Sequence, residues 1–112
     1  MGFASILLRF LSLVLGIGES QKFPPPLSAA EERALFEKMK AGSKDARDRI
    51  IEHNLRLVSH IIRKYYSSYP SPDDLLSIGS LGLMKAVDTF RYEVGARFAT
   101  YGAKCVQNAI LS

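Results

Sequence analysis

The sequence predicts an all-α fold, a compact bundle of about four helices preceded by an apolar N-terminal segment. Three observations predict it. Apolar residues recur three and four positions apart almost throughout, from Leu35 to Ala109, with little β-branched alternation. Strong helix punctuation separates these runs, with serines and a Ser-Pro pair at starts and Gly42 at an end. The chain of 112 residues holds one domain with an appendage, and its one cysteine, Cys105, excludes an internal disulfide and favours a reducing compartment.

Residues 1–18 are almost wholly apolar but contain Arg9. The run is shorter than the ~20 residues that span a bilayer as a helix. No basic residue precedes Phe3, against a secretory signal, and Ile6 stands where myristoylation of Gly2 wants Ser or Thr. With Arg9 able to reach the headgroups, the run suits a membrane-interface helix or short hairpin. A buried core helix or a signal peptide are the alternatives. The appendage is expected over residues 1–20, followed by a Pro-rich linker over 21–27, where Pro24-Pro25-Pro26 cannot continue a helix.

The globular part is expected over residues 28–112. Ser28-Ala29-Ala30-Glu31 reads as a capping box opening a helix to about Lys40, with Leu35, Phe36 and Met39 inward. Gly42 closes it and Ser43 caps a second helix, expected to run unbroken from about Lys44 to Tyr66. Ile50, Ile51, Asn54, Leu55, Leu57, Val58, Ile61, Ile62 and Tyr65 make its broad apolar stripe. His53 and His60 share one face of it, but no carboxylate or Cys stands at ligand spacing, so no metal site is expected.

Ser71-Pro72-Asp73-Asp74 starts a third helix, Pro72 to about Thr89, with cap, proline and two acids at the positive end of the dipole. Leu75, Leu76, Leu83, Met84, Val87 and Phe90 supply its core. Gly79 and Gly82 cost about 1 kcal/mol each relative to Ala. They predict close approach of another helix, expected to be the second, while Asp74, Ser77 and Ser80 lie on a polar flank. A fourth helix runs from about Ala99, with Lys104, Asn108, Leu111 and Ser112 forming one outward strip.

Between the third and fourth helices lies Phe90-Arg91-Tyr92-Glu93-Val94-Gly95-Ala96-Arg97-Phe98-Ala99-Thr100-Tyr101. Four aromatics, two arginines and a glycine fall within these residues. Aromatics offer π-faces to bases and cations offer charge to phosphates, so the mix suits a single nucleic-acid strand. It equally suits a helix–loop–helix corner whose rings plug the core. A formal charge of +4 and a pI of about 9.4 fit a polyanionic partner without requiring one. On the strip beyond, Asn108 suits a base edge and Lys104 a phosphate, though both also suit plain surface. No Ser-His-Asp set, phosphate loop after a strand or paired carboxylates are present. The chain is expected to be no enzyme and to need no cofactor.

Asn54-Leu55-Arg56-Leu57-Val58, the run Asp74 to Val87, and Gly95 to Tyr101 follow in order at spacings that resemble region 2 of bacterial RNA polymerase sigma factors, the sigma-70 family. The resemblance implies a helical domain that docks on the clamp helices of the large polymerase subunit and captures the non-template strand of the −10 promoter element. It implies a core-polymerase surface around Asp74, Ser77, Ile78, Ser80 and Met84. It implies a pocket for flipped bases drawing on Phe90, Tyr92, Arg97, Phe98, Thr100 and Tyr101, joined by Arg91, Lys104 and Asn108 as charge and edge contacts.

Primary sigma factors carry two tryptophans where this chain has Lys104-Cys105, so the wedge those form is not carried over. A basic residue followed by Cys is similar to the sporulation sigma factors of the mother cell, sigma-K and sigma-E, as is Phe23-Pro24-Pro25-Pro26-Leu27-Ser28. That likeness implies a cytoplasmic factor made as a precursor, with residues 1–18 at a membrane surface. An intramembrane protease would remove the pro-sequence, with Gly16, Ile17, Gly18, Glu19, Ser20, Gln21 and Lys22 as the expected processing zone. The match ends with the chain at Ser112, before the family's downstream domains, as in an isolated domain or the first product of a split gene. The competing readings are a membrane-tethered helical adaptor that binds a protein through helix three, and an inert product of an interrupted gene.

Overall fold

The computed structural model describes residues 24–112 apart from 67, 69 and 71, and gives only the backbone of Pro72 and Asp73. The apolar appendage, the processing zone, the first part of the linker and the Ser71 cap lie outside the described residues. Five α-helices follow: α1 (Ala29–Lys40), α2 (Lys44–His53), α3 (Leu55–Tyr65), α4 (Pro72–Thr89) and α5 (Phe98–Leu111), with a short 3-10 turn, Tyr92–Val94, between the last two. No strand occurs among the described residues.

Local chemistry sets the starts and stops. The Ser28 hydroxyl accepts the Glu31 N–H at 3.1 Å while the Glu31 carboxylate accepts the Ser28 N–H at 2.9 Å, completing the capping box. The Ser28 backbone N–H foremost, and then the Ser28 hydroxyl beside the carboxylate, hold the Glu31 pKa below its usual value. At the other end, Gly42 adopts φ +108°. Its N–H bonds Met39 and that of Ser43 bonds Lys38, a closure that needs a left-handed residue. Ser43 then caps α2 through the Ala46 N–H at 3.0 Å.

The long second helix expected from the apolar stripe is interrupted at Asn54. Its backbone sits at φ −116°, ψ 7°, and its side-chain amide donates to the Ile50 carbonyl at 2.8 Å. That carbonyl is the acceptor a continuing helix would use at this residue, so the amide competes with the backbone and a bend results. The stripe survives the bend: Ile50, Ile51, Leu55, Val58, Ile61 and Ile62 are all buried, while Tyr65 at the end is 56 % exposed.

α4 is the central element, contributing Leu75, Leu76, Leu83, Met84, Ala86 and Val87 to the core. Its glycines face two different helices. A Cβ on Gly79 would lie 2.8 Å from Val58 Cγ1 of α3, as the pattern predicts. A Cβ on Gly82 would meet Ala109 Cβ at 2.8 Å and the Cys105 carbonyl at 3.0 Å, so that glycine admits α5 instead. The helix cost of glycine is offset by this close packing, against side chains at Gly79 and against the α5 backbone at Gly82. Arg47 of α2 braces the far end, donating to both Asp88 oxygens at 2.7 and 3.0 Å, and this bonding raises the Arg47 pKa further.

Candidate nucleic-acid interface

The chain between α4 and α5 is anchored by aromatic packing. Phe98 is fully buried and Phe90 is 4 % exposed. Their rings cross edge to face at 5.3 Å, and both lie against Phe36 of α1, at 5.6 and 5.1 Å. Tyr92 stacks on Phe36 at 6.3 Å with the Arg33 guanidinium 5.4 Å over its ring. Gly95, at φ +86°, ends the 3-10 turn and redirects the chain into α5. The inner side of this stretch is thus the helix–loop–helix corner, with its rings plugging the core. Phe90 and Phe98 face inward.

On the outer side is an open hollow of about 370 Å³. Thr89 and Phe90 form one wall, the connection contributes Arg91, Val94, Ala96 and Arg97, and α5 contributes Thr100, Tyr101 and Lys104. Its volume lies at the low end of the ~300–1,000 Å³ typical of ligand clefts. Tyr101 stands 5.6 Å from the Phe90 ring. Its hydroxyl lies 2.7 Å from that of Thr89, whose own proton goes to the Lys85 carbonyl, so Tyr101 is the donor and its ring is fixed at both ends. The side chains of Arg91 and Lys104 are exposed and make no hydrogen bond or ion pair among the described residues.

The structure thus brings Phe90, Arg91, Arg97, Thr100, Tyr101 and Lys104 to one hollow. Phe98 lies behind it, Tyr92 packs toward α1, and Asn108 is exposed one helical turn beyond Lys104. Thr89, Val94 and Ala96 were not singled out by sequence. Thr89 looks like an ordinary helix end, and small or apolar lining carries no local signal.

Arg97 is tied to the N-terminal side of the molecule. Its Nη2 donates to the Leu27 carbonyl at 2.9 Å and sits 3.5 Å from Glu32 Oε1. The end of the expected linker is therefore docked rather than free, and a second bond holds it. His53 Nδ1 lies 2.8 Å from the Pro25 carbonyl, which can only accept, so Nδ1 carries the proton. Pro26, His53, Asn54, Arg56, Leu57 and His60 line a smaller hollow of about 230 Å³ beside this strap. Sequence spacing gave the two histidines no role; the linker contact supplies one for His53.

The other expected surface is on α4. Asp74 is exposed, Ser77 half-buried and Ile78 38 % exposed. Ser80 and Met84 are in the core, and the Ser80 hydroxyl donates to the Leu76 carbonyl at 2.7 Å. The exposed stripe instead runs Asp74, Ile78, Leu81, Lys85, Asp88, with Leu81 53 % exposed. That alternation of four and three is the spacing of a helix seam.

The Sigma-70 region 2 family matches residues 50–112. The chain belongs to the Sigma-70 region 2 family. The matched segment carries α3, α4, the hollow and α5; the strap and Glu32 lie ahead of it. An RNA polymerase sigma-28 factor of Bacillus thuringiensis subsp. kurstaki is 40% identical over 111 residues, 97% of this chain and 47% of that protein. The RNA polymerase sigma-K factor of Bacillus subtilis is 42% identical over 93 residues, 83% of this chain and 32% of that protein. The RNA polymerase sigma-E factor of Clostridium acetobutylicum is 44% identical over 95 residues, 85% of this chain and 40% of that protein. This sigma region 2 chain thus spans less than half the length of each of these relatives.

Proposed function

We propose that the chain is the polymerase-docking and promoter-capturing part of a sporulation RNA polymerase sigma factor. The observation that carries the reading is the hollow itself, a ring-lined recess rimmed by Arg91, Arg97 and Lys104 within the family's matched segment. Flipping a base out of the duplex costs a few kcal/mol. Stacking returns ~1–3 kcal/mol per base, and phosphate contacts add salt-dependent attraction.

In this reading Tyr101 is the stacking platform, Arg91, Arg97 and Lys104 hold phosphates, and Thr100 and Asn108 reach base edges. Phe90 and Phe98 support the platform from within, and Tyr92 borders the strand while it packs on α1. No step makes or breaks a covalent bond, so no catalytic residue or cofactor is assigned.

The α4 stripe is the proposed dock for the clamp helices of the large polymerase subunit. Ile78 and Leu81 would be its apolar anchors, with Asp74 and Ser77 at its edge. A seam of this spacing suits a partner helix. Residues 1–20 would act as a pro-sequence, holding the precursor at a membrane surface until an intramembrane protease cuts within Gly16–Lys22. The apolar run with its single Arg9 supports this. Among the described residues no helix is long and apolar enough to cross a membrane.

The test is a titration of the full chain, on core polymerase, onto single strands carrying a −10 sequence or its scramble, at two salt concentrations. Preference for the −10 strand, lost in Tyr101→Ala and weakened in Arg97→Ala, is expected. Equal binding to both strands sinks promoter capture and leaves the adaptor reading. For the appendage, a flotation assay should show vesicle association that vanishes when residues 1–20 are deleted; a truncated chain that still floats contradicts it.

A further inference from the structure

Glu32 is a carboxylate in an unusual position. It lies in α1, sixty-five residues from Arg97 in the chain, and its side chain is only 10 % exposed. Its own helix makes no use of it, because the α1 capping box is completed by Glu31. Instead Oε2 accepts the Phe98 backbone N–H at 2.9 Å, and Oε1 faces Arg97 Nη2 at 3.5 Å. Arg97 occupies the N-cap position of α5 but offers no side-chain cap. The first turn of α5, which needs acceptors for its N–H groups and favours negative charge, receives both from a different helix.

We infer that Glu32 is a positioning residue for the nucleic-acid hollow, acting through Arg97 and the start of α5. With Nη2 held by Glu32 and the Leu27 carbonyl, the guanidinium is fixed along one edge. Its Nε and Nη1 make no bond among the described residues and remain for a phosphate or base. The same carboxylate fixes the turn from which Thr100, Tyr101 and Lys104 project. Orientation held this tightly serves selectivity more than bulk attraction, since Glu32 itself carries the wrong charge to attract DNA. The inference rests on the reading of the hollow as a strand-binding site.

The substitution Glu32→Gln separates positioning from folding, because an amide oxygen still accepts the Phe98 N–H while the charge facing Arg97 is lost. The readout is the ratio of affinities of the full chain, on core polymerase, for −10 and scrambled single strands. Glu32→Gln is expected to lower that ratio about fivefold, the scale of coupling between contacting residues. In an Arg97→Ala background the same substitution should leave the ratio unchanged. The thermal midpoint should stay within a few degrees of wild type, which excludes general unfolding. A wild-type preference that Glu32→Gln leaves intact sinks this inference alone, as does an equal fall in both backgrounds. A wild-type ratio near one sinks the reading of the hollow, and this inference with it.

Discussion

The hollow at the α4–α5 junction and the exposed stripe of α4 share a helix but are built differently. The stripe is one helix's periodicity: Asp74, Ile78, Leu81, Lys85 and Asp88 come to one side with no help from elsewhere. The hollow is an assembly of α4's end, the connection and α5. Phe36 packs behind it, and Glu32 and Leu27 hold Arg97 at its edge. A surface made by one helix can be altered without harming the fold. A surface made by convergence carries its function and its stability in the same contacts.

Removing the shared ring should break the hollow hardest. Phe36→Ala takes away the partner of Phe90, Tyr92 and Phe98 at once. A loss of about 3–5 kcal/mol is expected for a buried Phe. Denaturant titration measures it, with loss of strand binding at the same temperature. On the stripe, Leu81→Glu should act oppositely. Stability should change by no more than about 0.5 kcal/mol, as for an exposed site. Affinity for core polymerase should fall by about 2 kcal/mol or more if Leu81 is a docking anchor. A variant that unfolds, or docks normally, would erase the distinction between the two regions.

Gly82→Ala probes the seam behind both. The new methyl meets a backbone carbonyl and another Cβ at 3.0 and 2.8 Å, so α4 and α5 must separate. A cost of about 1–3 kcal/mol is expected despite alanine's better helix propensity. The smallest effect is acid-dependent. Because Glu31's folded pKa is lowered, its capping-box contribution is full above the ordinary Glu value, near ~4.3. It is lost as pH falls through the lowered folded value. An amide-exchange series at Ser28 and Glu31 should show the start of α1 fraying over that window. Ser28→Ala should remove the step, leaving the hollow's Tyr101 contacts unmoved.

What could be read from the sequence follows the same division. Helix starts at Ser28 and Ser43, the stop at Gly42 and the core of α4 depend on neighbours within one turn, so their residues announce them. The bend at Asn54 was hidden because a half-buried Asn fits an apolar stripe and a helix-breaking amide equally well. In the sequence Leu81 is one more leucine in an apolar helix, and its repeat with Ile78, Lys85 and Asp88 is the signal it carries. Gly82 announced a close approach but not its partner, which is α5 rather than α3. Glu32 left no local trace at all, since its partners Arg97 and Phe98 are set only by tertiary packing.

The central claim is that one base of a single strand enters the hollow and stacks against Tyr101. The direct measurement places a fluorescent base analogue at each position of a −10 strand in turn. Emission is then read on binding to the full chain with core polymerase. The account predicts a large change at one position, abolished by Tyr101→Ala. Equal changes at every position, or a profile unaltered by Tyr101→Ala, would contradict it.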